Sequence, residues 1–281
     1  MSALHRHDLT NDQWAALQPH LPAARGIGGR PRLDERTFVN AILWLLRTGA
    51  PWRDLPPCFG NWSSVATRFY RWGHQAVWTR VLAQLQQLAD GQGDIDWNKQ
   101  YIDSTVVRAH QHAAGAQGGQ QHEALGRSRG GFSTKLHLKC EGQGKPLALH
   151  LTGGERHDMV GFRPLLDGGK VKRYGPGRPK QRPKQLVGDR GYSNGVARQE
   201  LTRRGIRAVI PPKRNHRRPQ AYDHRMYRER NQIERAIARL KRYRRVATRY
   251  DKRQLHYLTW LTIAVVLAWL PTEAAESGIA H

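Results

Sequence analysis

The chain has 281 residues, with 47 Lys and Arg against 22 Asp and Glu and a formal charge of +25. That length leaves room for one large or two modest domains with an ample core. Self-repulsion of this size disfavours a compact fold without an anionic partner, and nucleic acid fits better than membrane because the charge is dispersed and no terminal amphipathic anchor is present.

Residues 1 to 13 are polar and charged, so no signal peptide is expected before the first helix. The first hundred residues read as helical. Thr10 with Gln13 forms a capping box for a helix carrying Trp14, Leu17 and Leu21. Asp34 can cap a second helix with Val39, Ile42, Leu45 and Leu46 inward and Gly49 past its end. After a Pro-rich loop, Ser63 or Ser64 is the expected cap of a third helix, with Val65, Phe69 and Trp72 inward and Arg68 and Arg71 outward. A fourth carries Val77, Val81, Leu82, Leu85 and Leu88. A helix-turn-helix reader of the major groove and a plain packing or dimerisation domain both fit this pattern. The long loop before the third helix is unusual for the former.

Residues 89 to 99 are rich in Gly and Asp and mark a boundary. The organisation expected is a helical, DNA-binding-like domain over 1–92, a mixed α/β domain over 98–270 and a short polar tail over 271–281. Tyr101, Ile102, Val106 and Val107 make a strand that Asp103 interrupts. The Gly/Gln-rich stretch from Ala113 to Gly131 reads as a loop that cannot bury a core, where Arg127 and Arg129 among glycines can approach a phosphate backbone closely. Leu136, Leu138 and Cys140, then Leu147, Leu149 and Leu151, alternate with polar residues around the turn GQGK and predict a hairpin. A short helix from Val160 to Leu166, a strand ending at Asp189, a helix from Asn194 and the strand IRAVIP follow. The apolar run from Trp260 to Leu270 is too short to span a bilayer and reads as a buried helix. The basic loop 170–184, including Lys180 and Arg182, reads as a tracker of the DNA backbone, as does 215–225. Cys58 and Cys140 stand far apart with no CxxC, against a disulfide framework or thiolate zinc site and in keeping with the reducing cytosol. His110 and His112 have no nearby third partner and read as DNA or solvent contacts.

The stretch YRERNQIERAIARLK, 227 to 241, is the most informative. Wound as one helix, it places Tyr227, Arg230, Glu234 and Lys241 within an arc of roughly 60° beside an apolar stripe of Ile233, Ile237 and Leu240. An amphipathic surface helix does not require a carboxylate among Tyr, Arg and Lys at the rim of its core. Asp103 and Asp189, read singly, are turn or strand-end residues. Two aspartates at strand positions with one glutamate on a later helix are what a two-metal phosphoryl-transfer site requires, because Mg²⁺ takes hard oxygen ligands, one or two carboxylates per ion.

Tyr-x2-Arg-x3-Glu-x6-Lys at 227, 230, 234 and 241 resembles the signature of bacterial DDE transposases, and the chain as a whole resembles the insertion-sequence-5 family. The segments YIDSTVVRAHQHAAGA, ALGRSRGGFSTKLH, TGGERHD and VGDRGY, and the helical N-terminal text, carry the likeness from about Leu9 to Leu270. The resemblance implies a ribonuclease-H-like catalytic core, a mixed sheet with flanking helices, behind a small all-helical N-terminal domain. It implies Asp103, Asp189 and Glu234 as catalytic triad and ligands of two Mg²⁺ ions, with Mn²⁺ able to substitute. Tyr227, Arg230 and Lys241 would contact phosphate. The expected partners are double-stranded DNA, as element terminal inverted repeats and target DNA, and a second copy of the chain in the DNA complex. The activity implied is strand cleavage and 3′-hydroxyl strand transfer; a nuclease without strand transfer and a catalytically silent DNA-binding regulator are the rivals.

Overall fold

The computed structural model describes residues 7–22, 33–116, 119–128, 130–213 and 221–271. Arg129, most of the expected tail and the first part of the 215–225 run lie outside the described residues.

The helical region opens with α1 (Asn11–Leu17), where Thr10 and Gln13 form the expected capping box. Helix α2 (Glu35–Thr48) starts on the Asp34 side chain and stops at Gly49, whose φ of 72° gives the left-handed turn that glycine adopts without strain. Helix α3 (Trp62–His74) is capped by Asn61, two to three residues before the expected serines, because the Asn61 side chain already accepts the Ser63 N–H. Helix α4 (Val77–Gln92) ends on Gly93, also left-handed.

Arg68 does not point outward as expected. Its guanidinium pairs with Glu35 at 3.0 Å, donates to the Leu33 carbonyl at 3.1 Å and lies 4.2 Å from the Phe38 ring centroid. A half-buried ion pair over aromatic rings is packing, so this arginine ties α3 to α2. Arg71, one turn on, is exposed.

A mixed sheet follows. Strands β1 (Lys99–Ala109), β3 (Gly131–Glu141) and β4 (Pro146–Gly153) run antiparallel in sequence, and the short β2 (Gly126–Ser128) also pairs with β3. Past α5 (Met159–Asp167), strand β5 (Gln185–Val187) lies parallel to β1. Helix α6 (Gly195–Arg203) then leads to β6 (Arg207–Val209), parallel to β5. Helices α7 (His224–Arg228), α8 (Asn231–Lys241) and α9 (Arg244–Ala247) follow. A two-residue β7 (Thr248–Arg249) pairs with the far end of β1, and α10 (Gln254–Trp269) closes the described chain. Three antiparallel strands continued by two parallel ones, with helices on both faces, make a ribonuclease-H-like core.

The period of two sends Tyr101, Asp103, Leu136, Leu138 and Val187 to one face, with Ile233 of α8, and Ile102 and Leu186 to the other, under α5 and α6. The alternation on β3 is real, yet its polar side is not solvated. His137 and Lys139 are 0% and 1% exposed because α5 covers them. Lys139 donates to the Gly168 carbonyl at 2.8 Å, and burial pulls its ammonium pKa down to about 8. The stretch 113–131 also differs from expectation: Ala113, Ala124 and Leu125 are buried and β2 joins the sheet.

The apolar core runs without a break from Leu9 to Leu270. Trp260 of α10 stacks on Phe69 of α3 at 4.2 Å, and Arg245 donates to the Ala50 carbonyl at 2.9 Å. The sequence boundary near residue 93 is thus a change of architecture within one shared core, with α10 serving both sides.

Two consequences are measurable. Arg68→Ala should lower stability by about 1–3 kcal/mol, the cost of stranding partly buried polar partners, whereas Arg71→Ala should leave the denaturant midpoint unchanged; equal midpoints for the two variants would contradict the packing role. The second concerns His137, whose Nε2 lies 2.9 Å from Thr152 Oγ1. Burial, then the neighbouring His150, bring its pKa from 6.5 to about 4. Between these values the unfolded chain binds the extra proton, so stability should fall as pH drops through that window, by about 3 kcal/mol at most. His137→Gln should flatten this slope in urea titrations at a series of pH values.

Candidate active site

The parallel register sets the first two carboxylates. Lys99, Gln100 and Tyr101 stand level with Gln185, Leu186 and Val187. Continuing that register two residues brings Asp103 level with Asp189, on the face that Tyr101 and Val187 share. Asp189 sits just past the end of β5, where its side chain accepts the Gly191 N–H at 2.9 Å and opens a short turn over Arg190–Tyr192. Asp103 accepts the Ser104 N–H at 2.8 Å on its Oδ1. Burial raises the Asp103 pKa and the nearby Asp189 charge adds to the effect, against the Ser104 N–H and the Arg230 guanidinium.

The third carboxylate comes from α8. Arg230 donates from Nη1 to Asp103 Oδ2 at 2.7 Å, and from Nη2 to Glu234. One planar guanidinium therefore bridges the strand carboxylate and the helix carboxylate. Burial alone would lower the Arg230 pKa, but Asp103 and Glu234 hold it above its ordinary value. Lys241, two turns further along α8, reaches β1 and donates to Thr105 Oγ1 at 2.6 Å and to the Val106 carbonyl at 3.1 Å. Tyr227 lies beside Arg230, whose guanidinium carbon is 6.0 Å from its ring centroid.

The four signature residues do not share one continuous helix. Arg230 N–H donates to the Tyr227 carbonyl, and Ile233 N–H to the Arg230 carbonyl. These i to i+3 bonds tighten the chain between α7 and α8 and leave Arg230 as the residue preceding α8. Arg230 and Lys241 still reach the middle of β1, at Asp103 and at Thr105 and Val106.

The remaining basic residues are dispersed. Lys180 is paired with Asp90 at 2.8 Å, and Arg182 donates to the Arg204 carbonyl at 3.0 Å. Arg127 is exposed, with its guanidinium 4.9 Å from the Phe132 ring centroid.

Two acidic residues beside the site have no counterpart in the sequence reading. Glu229 accepts from Tyr101 OH at 3.2 Å and pairs with Lys99. Asp158 accepts from Ser104 Oγ at 2.6 Å and from Lys135 Nζ at 2.8 Å. Burial pushes the Asp158 pKa up, but these two donors outweigh it and hold the carboxyl below its ordinary range. Its only signal in sequence was the HD of TGGERHD.

Carboxylate oxygens are the donors that a hard divalent cation takes, and the Arg230 guanidinium between Asp103 and Glu234 marks the place as one that holds positive charge. As folded around that guanidinium, no three Asp, Glu, His or Cys side chains among the described residues are grouped as a metal site.

Comparison with known proteins agrees with this geometry. A family profile described as putative transposase of the IS4/5 family matches residues 9–82, and one described as transposase DDE domain matches residues 99–269. The putative transposase for insertion sequence element IS402 of Burkholderia cepacia is 34% identical over 147 residues, 52% of this chain and 67% of that one. The putative transposase for insertion sequence element IS6501 of Brucella ovis is 31% identical over 149 residues, 50% of this chain and 99% of that one. An uncharacterized protein, y4sN, of Sinorhizobium fredii is 43% identical over 108 residues, covering 38% of this chain and 82% of its own. With Asp103 on β1, Asp189 just past β5 and Glu234 joined to Asp103 through Arg230, the chain belongs to the IS4/5 family of DDE transposases, metal-dependent enzymes of DNA transposition.

Proposed function

We propose that this transposase cleaves DNA strands at the ends of its insertion element and joins the freed 3′-hydroxyl to target DNA. The observation supporting this most directly is the meeting of Asp103 and Glu234 on one guanidinium, with Asp189 just past the end of the strand that runs parallel to β1. Asp103, Asp189 and Glu234 would hold two Mg²⁺ ions, or Mn²⁺ in their place, which supply Lewis-acid stabilisation to the entering and leaving oxygens of an in-line displacement. Arg230, Lys241 and Tyr227 contact the scissile phosphate and its neighbours; a guanidinium already gripping two carboxylates has the planar fork that a phosphate also matches. The same pocket serves cleavage and joining, because the 3′-hydroxyl of the cut end occupies the position vacated by water.

The substrate is double-stranded DNA, first the terminal inverted repeats of the element and then the target, in the bacterial cytoplasm. Two ends must be brought together, so the working complex contains a homodimer. Arg71 and Arg127, exposed on different parts of the molecule, are its candidate DNA contacts outside the site. Lys180 and Arg182 can add only what their internal partners leave them. No helix among the described residues is long and apolar enough to cross a membrane.

Purified protein incubated with labelled ends of its own flanking DNA and Mg²⁺ tests the reading. A strand-transfer product is expected, and EDTA should abolish it. Nicks without joining would select a nuclease, and a mobility shift without cleavage a regulator. Asp103→Asn, Asp189→Asn and Glu234→Gln should each reduce cleavage to background while leaving end-DNA affinity within about twofold, since each removes a cation ligand and no phosphate contact. Wild-type turnover by any of the three would remove that residue from the triad.

A further inference from the structure

Asp158 occupies the position before α5 where an aspartate ordinarily caps a helix, yet its side chain makes no capping hydrogen bond and its backbone is already helical. The carboxylate is turned instead towards the sheet, on the face opposite Asp103. There its Oδ1 takes the Ser104 hydroxyl at 2.6 Å and the Lys135 ammonium at 2.8 Å. Ser104 follows Asp103 on β1, and its own N–H holds Asp103 Oδ1. The other oxygen of Asp158 lies against Gly191. A Cβ built on Gly191 would stand 3.0 Å from Asp158 Oδ2 and 2.9 Å from Asp189 Oδ1. Only glycine lets both carboxylates approach that backbone so closely, and its N–H is the one that fixes Asp189. Next in the chain, Tyr192 is 0% exposed. It lies in the cluster with Ile102 and Leu186, on the Ser104 face of the sheet.

We propose that Asp158 is a positioning residue, a brace behind the sheet that sets the spacing of Asp103 and Asp189 by holding Ser104 on one side and seating the Gly191 turn on the other. It touches neither substrate nor the reacting oxygens. It acts through the strand and turn that carry the two ligands, and Lys135 keeps its charge from repelling them. Asp103 stands on β1 and Asp189 two residues past the end of the neighbouring parallel β5, so sheet hydrogen bonds alone do not fix their separation. This inference rests on the metal-dependent reading of the site.

The test measures Mn²⁺ uptake by the full-length protein without DNA, from the electron paramagnetic resonance signal of the free ion, alongside thermal unfolding. Wild type should bind Mn²⁺ and Asp103→Asn should lose that binding. Asp158→Asn should raise the half-saturating Mn²⁺ concentration about tenfold or more, as removal of an outer partner does at other metal sites. Ser104→Ala removes only the tether, with no change of charge, and should shift it in the same direction by a smaller factor, which separates positioning from loss of a nearby negative charge. Half-saturation unchanged in both variants, with only a lowered melting temperature in Asp158→Asn, would make Asp158 a purely structural residue and overturn the proposal. An effect in Asp158→Asn with none in Ser104→Ala would also overturn it, in favour of a general charge effect. Wild type that takes up no Mn²⁺ would instead bring down the metal-dependent reading, and the brace with it.

Discussion

Asp103, Glu234 and Asp189 all bear on one point of the structure, and without a compensating cation there their repulsion would push the helix carrying Glu234 off the sheet carrying Asp103. Arg230 is that cation. It stands where α7 passes into α8, so the same tight turn that begins the helix also aims a guanidinium at Asp103 in the middle of β1. The docking of α8 depends on this contact at one end, on Lys241 reaching Thr105 at the other, and on Ile233, Ala236 and Leu240 buried between. The two polar grips fix rotation and the apolar stripe fixes depth. Neither alone would set where Glu234 points.

The helical N-terminal region contributes to the same result from a distance. Helix α10 lies between α3 and α4 on one side and the sheet on the other, with Trp260 stacked on Phe69 and Trp269 donating to the Pro146 carbonyl at 2.8 Å. Gln86 of α4 reaches the same carbonyl at 3.3 Å. Residues packed behind the sheet therefore also form the floor of the helical region. A division into two functional domains in sequence does not entail two separately packed bodies, and here the last helix of the chain is the element that joins them.

Much of this was legible before folding was considered, for reasons particular to each segment. Thr10 with Gln13, Asp34, and Gly49 are local chemistry: a cap needs only its own next few residues, so sequence suffices. The period of two placed Asp103 on its strand and the leucines of β3 and β4 on their face. What stayed hidden depends on contacts distant in sequence. The polar side of β3 is buried because α5, some twenty residues later, covers it, and nothing in the alternation records that cover. Arg68 looked solvent-facing because helical phase separates it from Val65 and Phe69, yet Glu35, Phe38 and Trp72 from neighbouring turns enclose it. The break between α7 and α8 is similarly silent, since all residues from 227 to 241 are acceptable in a helix and the tight turn is imposed by what Arg230 reaches for. Asp158 carries no signal of its own in sequence, since an aspartate before a helix has an ordinary explanation as its cap, and only the absent capping bond removes it.

The basic excess deserves the same separation of local from long-range. A charge of +25 points to an anionic partner, but it does not say which cations meet that partner. Arg249 is 0% exposed and gives its guanidinium to Ala124, Thr134, Asp251 and Lys252. Arg245 lies 4.7 Å from the Trp260 ring centroid and 3.7 Å from Asp251. With Arg68, Lys180 and Arg204, the last paired with Asp167 and Glu200, these are structural cations that hold loops and helix ends against the core. Arginine suits that work because its planar fork can bridge several carbonyls while its stem packs against rings. Arg230 does the same structural work at the candidate site: its fork joins Asp103 on the sheet to Glu234 on α8, so the contact that docks the helix lies among the acidic side chains themselves.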